Sequence, residues 1–278
     1  MKNILIPYDF SETAINALNY TKKLFENHRA NIYVLGVYIS TPSEILNTEY
    51  NDRWFNEIDD SIEDELNYLI EVLNNNKESN LNFSAIVKSE SIINAIKSAI
   101  KEKQIDLVVT GTKGAHSLVE TFIGTNTINM INHINECSIL VVPTNYKYKS
   151  LHQIVFSTNY KRPFNLKELK TLIELSIIKG CSIEVVNLSV EDFFTDNQRK
   201  NKVKLRELFQ DLNVDYKKID WQDSETKTLE NHIEEIESEL LVLINHKHNF
   251  FNRLIEENVI KKSAFHSKIP LLILPEQE

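Results

Sequence analysis

The chain is poor in the residues that punctuate or staple a fold: its 278 residues include five Gly, six Pro and two Cys. Cys137 and Cys181 stand in apolar surroundings with no Cys-x-x-Cys partner and no ligand His nearby. That excludes a disulfide framework and a thiolate metal site, and makes two buried thiols the expectation. Positive charge is also short, with 31 Lys and Arg against 40 Asp and Glu for a net charge of −9. Tracking a phosphate backbone needs a contiguous cationic face, so nucleic acid is not an expected partner. No apolar run approaches the roughly 20 residues of a spanning helix. The start, Lys2-Asn3-Ile4-Leu5-Ile6, lacks the shape of a signal peptide, so no membrane contact and a cytoplasmic location are expected. A Gly-x4-Gly-Lys-Ser/Thr phosphate loop is missing as well.

What is present is ordinary globular material, 42% hydrophobic and 26% charged, in a chain about twice the length of a small α/β domain. Two domains follow as the starting expectation. Internal comparison sharpens it. Leu118 to Pro143 and Phe250 to Pro275 superpose without a gap, each a helical stretch, a polar turn, an apolar strand and a proline. The beginnings match more weakly: Asn3 to Phe10 against Gln153 to Tyr160. The first copy is the longer, and the polar stretch Thr41 to Asp60 is where its extra residues belong. Boundaries of 1–146 and 147–278 result.

Within each copy the apolar periods alternate between strand and helix, which predicts βαβ units and a parallel sheet. In the first, Ile4 to Tyr8 and Ile32 to Tyr38 read as strands around a helix carrying Ala14, Leu18, Thr21 and Phe25 on one face. Ile58, Ile62, Leu66, Leu69, Ile70 and Leu73 make a second helical stripe, Asn82 to Val87 a strand, and Ile92, Ile96, Ala99 and Ile100 a third helix. Leu107 to Val109 and Ile139 to Val142 are continuously apolar, as strands covered on both faces are. In the second copy the reading runs strand Ile154 to Thr158, helix Leu166 to Ile178 stopped by Gly180, and strand Ile183 to Leu188. Helices on Leu205 to Leu212 and Leu229 to Ile236 follow, then strands Leu240 to Ile244 and Leu271 to Leu274. The fold class is therefore α/β, as two tandem doubly wound parallel five-stranded sheets, with ligands expected beyond the carboxyl ends of the strands.

Three of the five glycines, Gly111, Gly114 and Gly124, cluster directly after a buried strand and at the start of a helix. Glycine admits close backbone approach, and a helix start offers free N–H groups and a positive dipole end, so a Gly-x-x-Gly loop followed by Gly-Thr-x-Thr describes an anion cradle. Thr125 and Thr127 could add hydroxyl donors. A tight turn with capping threonines is the other reading of the same residues. Asp9 ends the first strand before Ser11, a plausible N-cap, and either accepts hydrogen bonds from a ligand or serves the helix start.

Ile4 to Ala14 (ILIPYDFSETA) and the Gly111-x2-Gly114-x9-Gly124-Thr125 pattern resemble the universal stress protein family, and the order of elements agrees over nearly the whole chain. The resemblance implies a Rossmann-like fold of the adenine nucleotide alpha hydrolase type, with ATP or AMP bound and magnesium accompanying it. It places Pro7, Tyr8, Asp9 and Val37 around adenine and ribose, Gly111, Thr112 and Gly114 beside ribose and phosphates, and Gly124, Thr125, Asn126 and Thr127 on the phosphates. Lys113 and Ala115 stand where the family often carries His and Arg, and Asn126 where it carries a small apolar residue. In the second copy Asp9 becomes Asn159 and Pro7 becomes Ser157, while Gly124 and Thr125 become Glu256 and Glu257. Carboxylates facing phosphate and the loss of close backbone approach make that copy degenerate. His246, His248 and His266 in its loop and last helix read as solvated or capping residues rather than metal ligands.

The expected function is a non-catalytic, stress-responsive nucleotide sensor whose bound nucleotide biases loop conformation and partner contacts. A slow ATP hydrolase is the alternative from the enzyme class, but paired magnesium carboxylates are missing and His116 is the one base beside the glycine loop. A nucleotide-free interaction scaffold is the third reading, opposed by the intact glycines of the first copy. The resemblance implies that sheets of single-domain relatives pair through the strand closing each domain, here near Val141 and Ile273, so an intramolecular pseudo-dimer is expected, with a homodimer of chains as a further partner.

Overall fold

The computed structural model describes residues 1–38, 62–75, 80–112, 125–188, 194–220, 224–245 and 268–276. The chain divides into two compact units, Met1–Thr110 and Gly111–Glu278.

The first unit runs β1 (Lys2–Pro7), α1 (Glu12–Phe25), β2 (Ala30–Val37), α2 (62–74), β3 (Leu81–Lys88), α3 (Ile92–Lys103) and β4 (Leu107–Thr112), the last two residues of β4 opening the second unit. Its strands lie in the order β3-β2-β1-β4, and the pairings are parallel. Ile4, Leu5 and Ile6 are fully buried, as a strand covered on both faces requires. α1 starts because Ser11 holds extended backbone and accepts from the Ala14 N–H at 3.3 Å. Glu12 in the first turn and Lys22 and Lys23 in the last oppose the helix dipole. Its buried face carries Ala14, Leu18, Thr21 and Phe25, the stripe expected from the sequence. α2 shows the same fidelity: Leu66 is fully buried, while Tyr68 and Val72 on the other side are exposed.

Gly36 of β2 decides how close α2 can come. A Cβ there would stand 2.5 Å from Leu66 Cδ1 and 3.3 Å from Ile62 Cγ2, so the helix rests on bare backbone.

The second unit contains α4 (Thr125–His133), β5 (Ser138–Pro143), β6 (Gln153–Ser157), α5 (Leu166–Lys179), β7 (Ser182–Leu188), α6 (Asp196–Leu208), β8 (Val214–Ile219), α7 (Glu225–Glu235), β9 (Leu240–Asn245) and β10 (Leu271–Pro275). Its strand order is β5-β10-β9-β6-β7-β8. Within it, β10 pairs parallel with β9 and antiparallel with β5, Leu271 opposite Val141 and Ile273 opposite Ile139. α5 ends as predicted on Gly180, at φ 62, whose N–H returns to Ile177 and Ser176. Cys137 and Cys181 are both buried, and burial pushes the Cys181 thiol up to about 11.

The second repeat reproduces the first. β8-β7-β6-β9 follows the order of β3-β2-β1-β4. Asn3 N donates to Asp106 Oδ2 at 3.0 Å, and Gln153 N donates to Glu239 Oε2 at 2.8 Å. Asp106 N returns to the Asn3 carbonyl, and Glu239 N to the Gln153 carbonyl. Each carboxylate thus ties the start of one strand to the start of its neighbour.

The sequence reading expects five strands in the second copy but locates only four; β8 is the one not located, because Val-Asp-Tyr-Lys-Lys-Ile carries three charges and lies at the sheet edge, where one face is wet and charge deters edge pairing. β4 and β9 precede the segments that superpose without a gap, and their offset is one residue larger. Leu107 pairs with Ile4, and Leu240 with Ile154, so Gly111 corresponds to Ile244 and Thr112 to Asn245.

Candidate functional site

In the first unit the chain steps from β1 to β2 on one side and comes back as β4 on the other, so strand order reverses between β1 and β4. In open α/β sheets such a reversal is the place where ligands bind, beyond the carboxyl ends of the strands. Pro7 closes β1, half-buried, and Tyr8 follows at 8% exposure. Tyr8 N donates to the Leu35 carbonyl at 2.8 Å, carrying the sheet pairing one residue past the strand. Burial, and then the charge of Asp9, push the Tyr8 hydroxyl above its ordinary value. Phe10 turns the chain at φ 58 and sets its ring edge-on to Tyr8, centroids 5.0 Å apart. Asp9 is exposed. Its Oδ1 accepts from Ser11 N at 3.1 Å and from Ser11 Oγ at 2.5 Å, an Asx turn that holds the loop between strand and helix. Val37 ends β2, half-buried.

In the second unit, Gly111 and Thr112 are the last residues of β4. Thr127 of α4 is 3% exposed and donates from Oγ1 to the Gly111 carbonyl at 3.1 Å, so in this state its hydroxyl hydrogen serves the backbone. The Thr112 carbonyl accepts from Thr144 Oγ1. The Thr112 hydroxyl differs: at 2% residue exposure it has no hydrogen-bond partner among the described residues. An unmatched buried hydroxyl costs about 1–3 kcal/mol, so a bound donor or acceptor would recover free energy there. Thr125 opens α4 and Asn126 is exposed in its first turn. Gly114, Gly124, Lys113, Ala115 and His116 lie outside the described residues, as do His246, His248, His266, Glu256, Glu257 and the whole stretch from Thr41 to Asp60.

The second repeat tests which of these features belong to the fold alone. Thr158 N donates to the Val186 carbonyl at 2.9 Å, as Tyr8 does to Leu35. Asn159 Oδ1 accepts from Lys161 N at 3.0 Å, and Tyr160 turns the chain at φ 55. The turn after the first strand is therefore a property of the repeat, and a neutral amide forms it as well as a carboxylate does. What differs is its cover. Phe10 is 39% exposed, whereas Tyr160 is 1% exposed, with Phe194 at 5.6 Å and Phe164 at 6.4 Å. From α6, Gln198 Nε2 donates to the Asn159 carbonyl at 2.9 Å and Asn201 Nδ2 to the Tyr160 carbonyl at 2.8 Å. The chain itself occupies the face of that turn. At the end of β9, Asn245 Nδ2 donates to the Ile131 carbonyl at 2.6 Å, so the counterpart of Thr112 has a partner.

The sequence reading missed Gly36, the aromatic cover of Tyr160 and the buried Glu168, which stands 3% exposed in the first turn of α5 with burial pushing its carboxyl up to about 7. Only Gly36 carried a signal, as a lone glycine inside a strand pattern. Among the described residues no group of three or more His, Cys, Asp or Glu could hold a metal ion, and no helix is long and apolar enough to cross a membrane.

Comparison with known proteins bears on the same segments. The family model of the universal stress protein family matches residues 1–143. No curated protein sequence matches the chain. Among solved structures, the chain is similar to a universal stress protein from Archaeoglobus fulgidus, with TM-score 0.68 and 14% identity, over 99% of this chain and 97% of that one. It is similar to a putative universal stress protein from Pseudomonas aeruginosa, with TM-score 0.55 and 8% identity, over 99% and 93%. The cytoplasmic domain of a prokaryotic cation chloride cotransporter is also similar, with TM-score 0.53 and 10% identity, over 99% and 95%. At these identities the likeness is one of fold.

Proposed function

The chain belongs to the universal stress protein family, and from that premise we propose that its first repeat binds ATP or AMP and acts as a sensor without turnover. Family membership itself supports a role in the response to stress. The observation that carries the finer reading is the Thr112 hydroxyl, buried at the end of β4 with no partner among the described residues. A ribose or phosphate oxygen would satisfy it. The reversal of strand order between β1 and β4 supports the same location, and the glycines at 111, 114 and 124 provide the amides for an anion.

The second repeat acts as scaffold in this reading, since its own side chains cover the corresponding turn. Antiparallel pairing of β5 with β10, the strands that close the two repeats, supports an intramolecular pseudo-dimer, and we extend the proposal to a cytoplasmic protein whose partner contacts respond to nucleotide. Mass spectrometry of nucleotide released from purified protein tests the site, with Gly124→Glu as the variant that imitates the second repeat. Adenine nucleotide in the parent and none in the variant is the expected result; equal amounts in both would refute it. Release of inorganic phosphate from ATP above the blank would refute the absence of turnover.

A further inference from the structure

α2 and α6 occupy the same place in the two repeats, each leading from the second strand of its repeat to the third. Their charges are opposite. α2 carries Glu63, Asp64, Glu65 and Glu71 and no Lys or Arg, whereas α6 carries Arg199, Lys200, Lys202, Lys204 and Arg206 against Asp196 and Glu207. Leu66 of α2 and Leu205 of α6 are fully buried, so each helix has an inner side that packs and an outer side left to solvent.

On the outer side each helix sets an apolar group within a ring of charge. Tyr68 is 71% exposed, Val72 one turn on is 52% exposed, and Val203 is 55% exposed. Asp64, Glu65 and Glu71 stand four and three residues before Tyr68 and three after it, and Arg199, Lys200 and Arg206 stand at the same spacings around Val203. Such spacings bring each trio beside its apolar residue on one helix surface, and all of these charged residues are exposed. Pairing within α6 does not close its face. Arg199 with Asp196 at 3.6 Å and Lys204 with Glu207 at 3.1 Å join side chains more than half exposed, and exposed pairs of this kind hold weakly. Arg206 lays its guanidinium on the Tyr216 ring, Cζ 4.9 Å from the centroid, which uses the flat face of the fork and leaves its N–H edge to donate.

A lone exposed tyrosine or valine is ordinary surface. Two such residues inside rings of opposite charge are complementary to each other. α2 against α2, or α6 against α6, would set like charges together, whereas α2 against α6 sets carboxylates toward cations around an apolar contact. Both faces are exposed within the single chain, so a second copy supplies the partner.

We propose that α2 of one chain docks on α6 of a second copy, through a face separate from the strands that close the repeats. The proposal does not rest on nucleotide binding by the first repeat. One helix pair buries less than the roughly 1,200 Å² of a stable interface, so the association is reversible and follows protein concentration.

Sedimentation velocity of the full chain over a range of concentrations tests it. The expected result is an average mass that rises with concentration at low salt and returns toward the monomer in about 1 M salt, where the screening length is about 3 Å. Asp64→Lys with Glu71→Lys, and separately Arg199→Glu with Lys200→Glu, should each weaken association about tenfold or more. The urea midpoint should stay nearly unchanged in both, because these positions are exposed. An equimolar mixture of the two variants should recover association, since it retains one intact pairing, α2 of the second variant against α6 of the first. Tyr68→Ala should weaken association severalfold. A single mass at every concentration, association that survives both reversals or high salt, or a mixture no heavier than its components would each overturn the proposal.

Discussion

The turns that follow β1 and β6 share a backbone and differ in what covers them. Both have a left-handed aromatic residue, Phe10 at φ 58 and Tyr160 at φ 55, and both have an Asx turn to the residue after it. Past that point they diverge. Tyr160 is enclosed by Phe164, Phe194 and two α6 amides, while Phe10 remains exposed. The lesson is that the repeat fixes the turn, and neighbouring side chains decide whether its face is free for a ligand.

The largest expected effect comes from making the first repeat resemble the second at the glycine loop. Gly124→Glu should lower affinity for adenine nucleotide by a factor of about 100 or more in calorimetry, since it adds a carboxylate facing phosphate and removes close backbone approach.

Next is the buried Glu168, whose carboxyl is pushed up to about 7 by burial. The sign follows from linkage. With the folded value above the unfolded one, the contribution of this group to stability is full below about pH 4.5 and is lost as pH rises through about 7. Glu168→Gln should therefore gain up to about 3 kcal/mol relative to the parent at pH 8 and little at pH 4, by urea unfolding. An equal effect at both pH values would show that the carboxyl is not held neutral by its surroundings.

A smaller effect is expected at Gly36, whose counterpart by strand register is Asn187. Gly36→Ala places a methyl against Leu66 and Ile62 and should cost about 1–3 kcal/mol in the same measurement. No loss would mean that α2 is free to retreat from β2.

The smallest change in stability, and the sharpest separation of fold from function, is at Asp9. Because Asn159 makes the same turn, Asp9→Asn should alter the urea midpoint by less than about 0.5 kcal/mol in free energy. Nucleotide affinity should nevertheless fall severalfold if the carboxylate accepts from the ligand. A large loss of stability would show that the two turns are not equivalent.

The particular elements show why legibility varied. α1 was readable because Ala14, Leu18, Thr21 and Phe25 repeat at helical spacing and Ser11 caps them, both local signals. β8 was not, since an edge strand with Asp215, Lys217 and Lys218 lacks the apolar run that marks a covered one. Gly111 and Thr112 were readable as the end of a buried strand, whereas the missing partner of the Thr112 hydroxyl depends on groups distant in sequence.

The sequence by itself determined the α/β class, the duplication and the family, because periodicity, capping and the first-strand and glycine motifs are written in neighbouring residues. Only the tertiary structure decided the correspondence of β9 with β4, the covering of Tyr160 by α6 and the buried Thr112 hydroxyl without a partner among the described residues. Those depend on which side chains meet across elements far apart in the chain, and burial and charge pairing exist only once they have met.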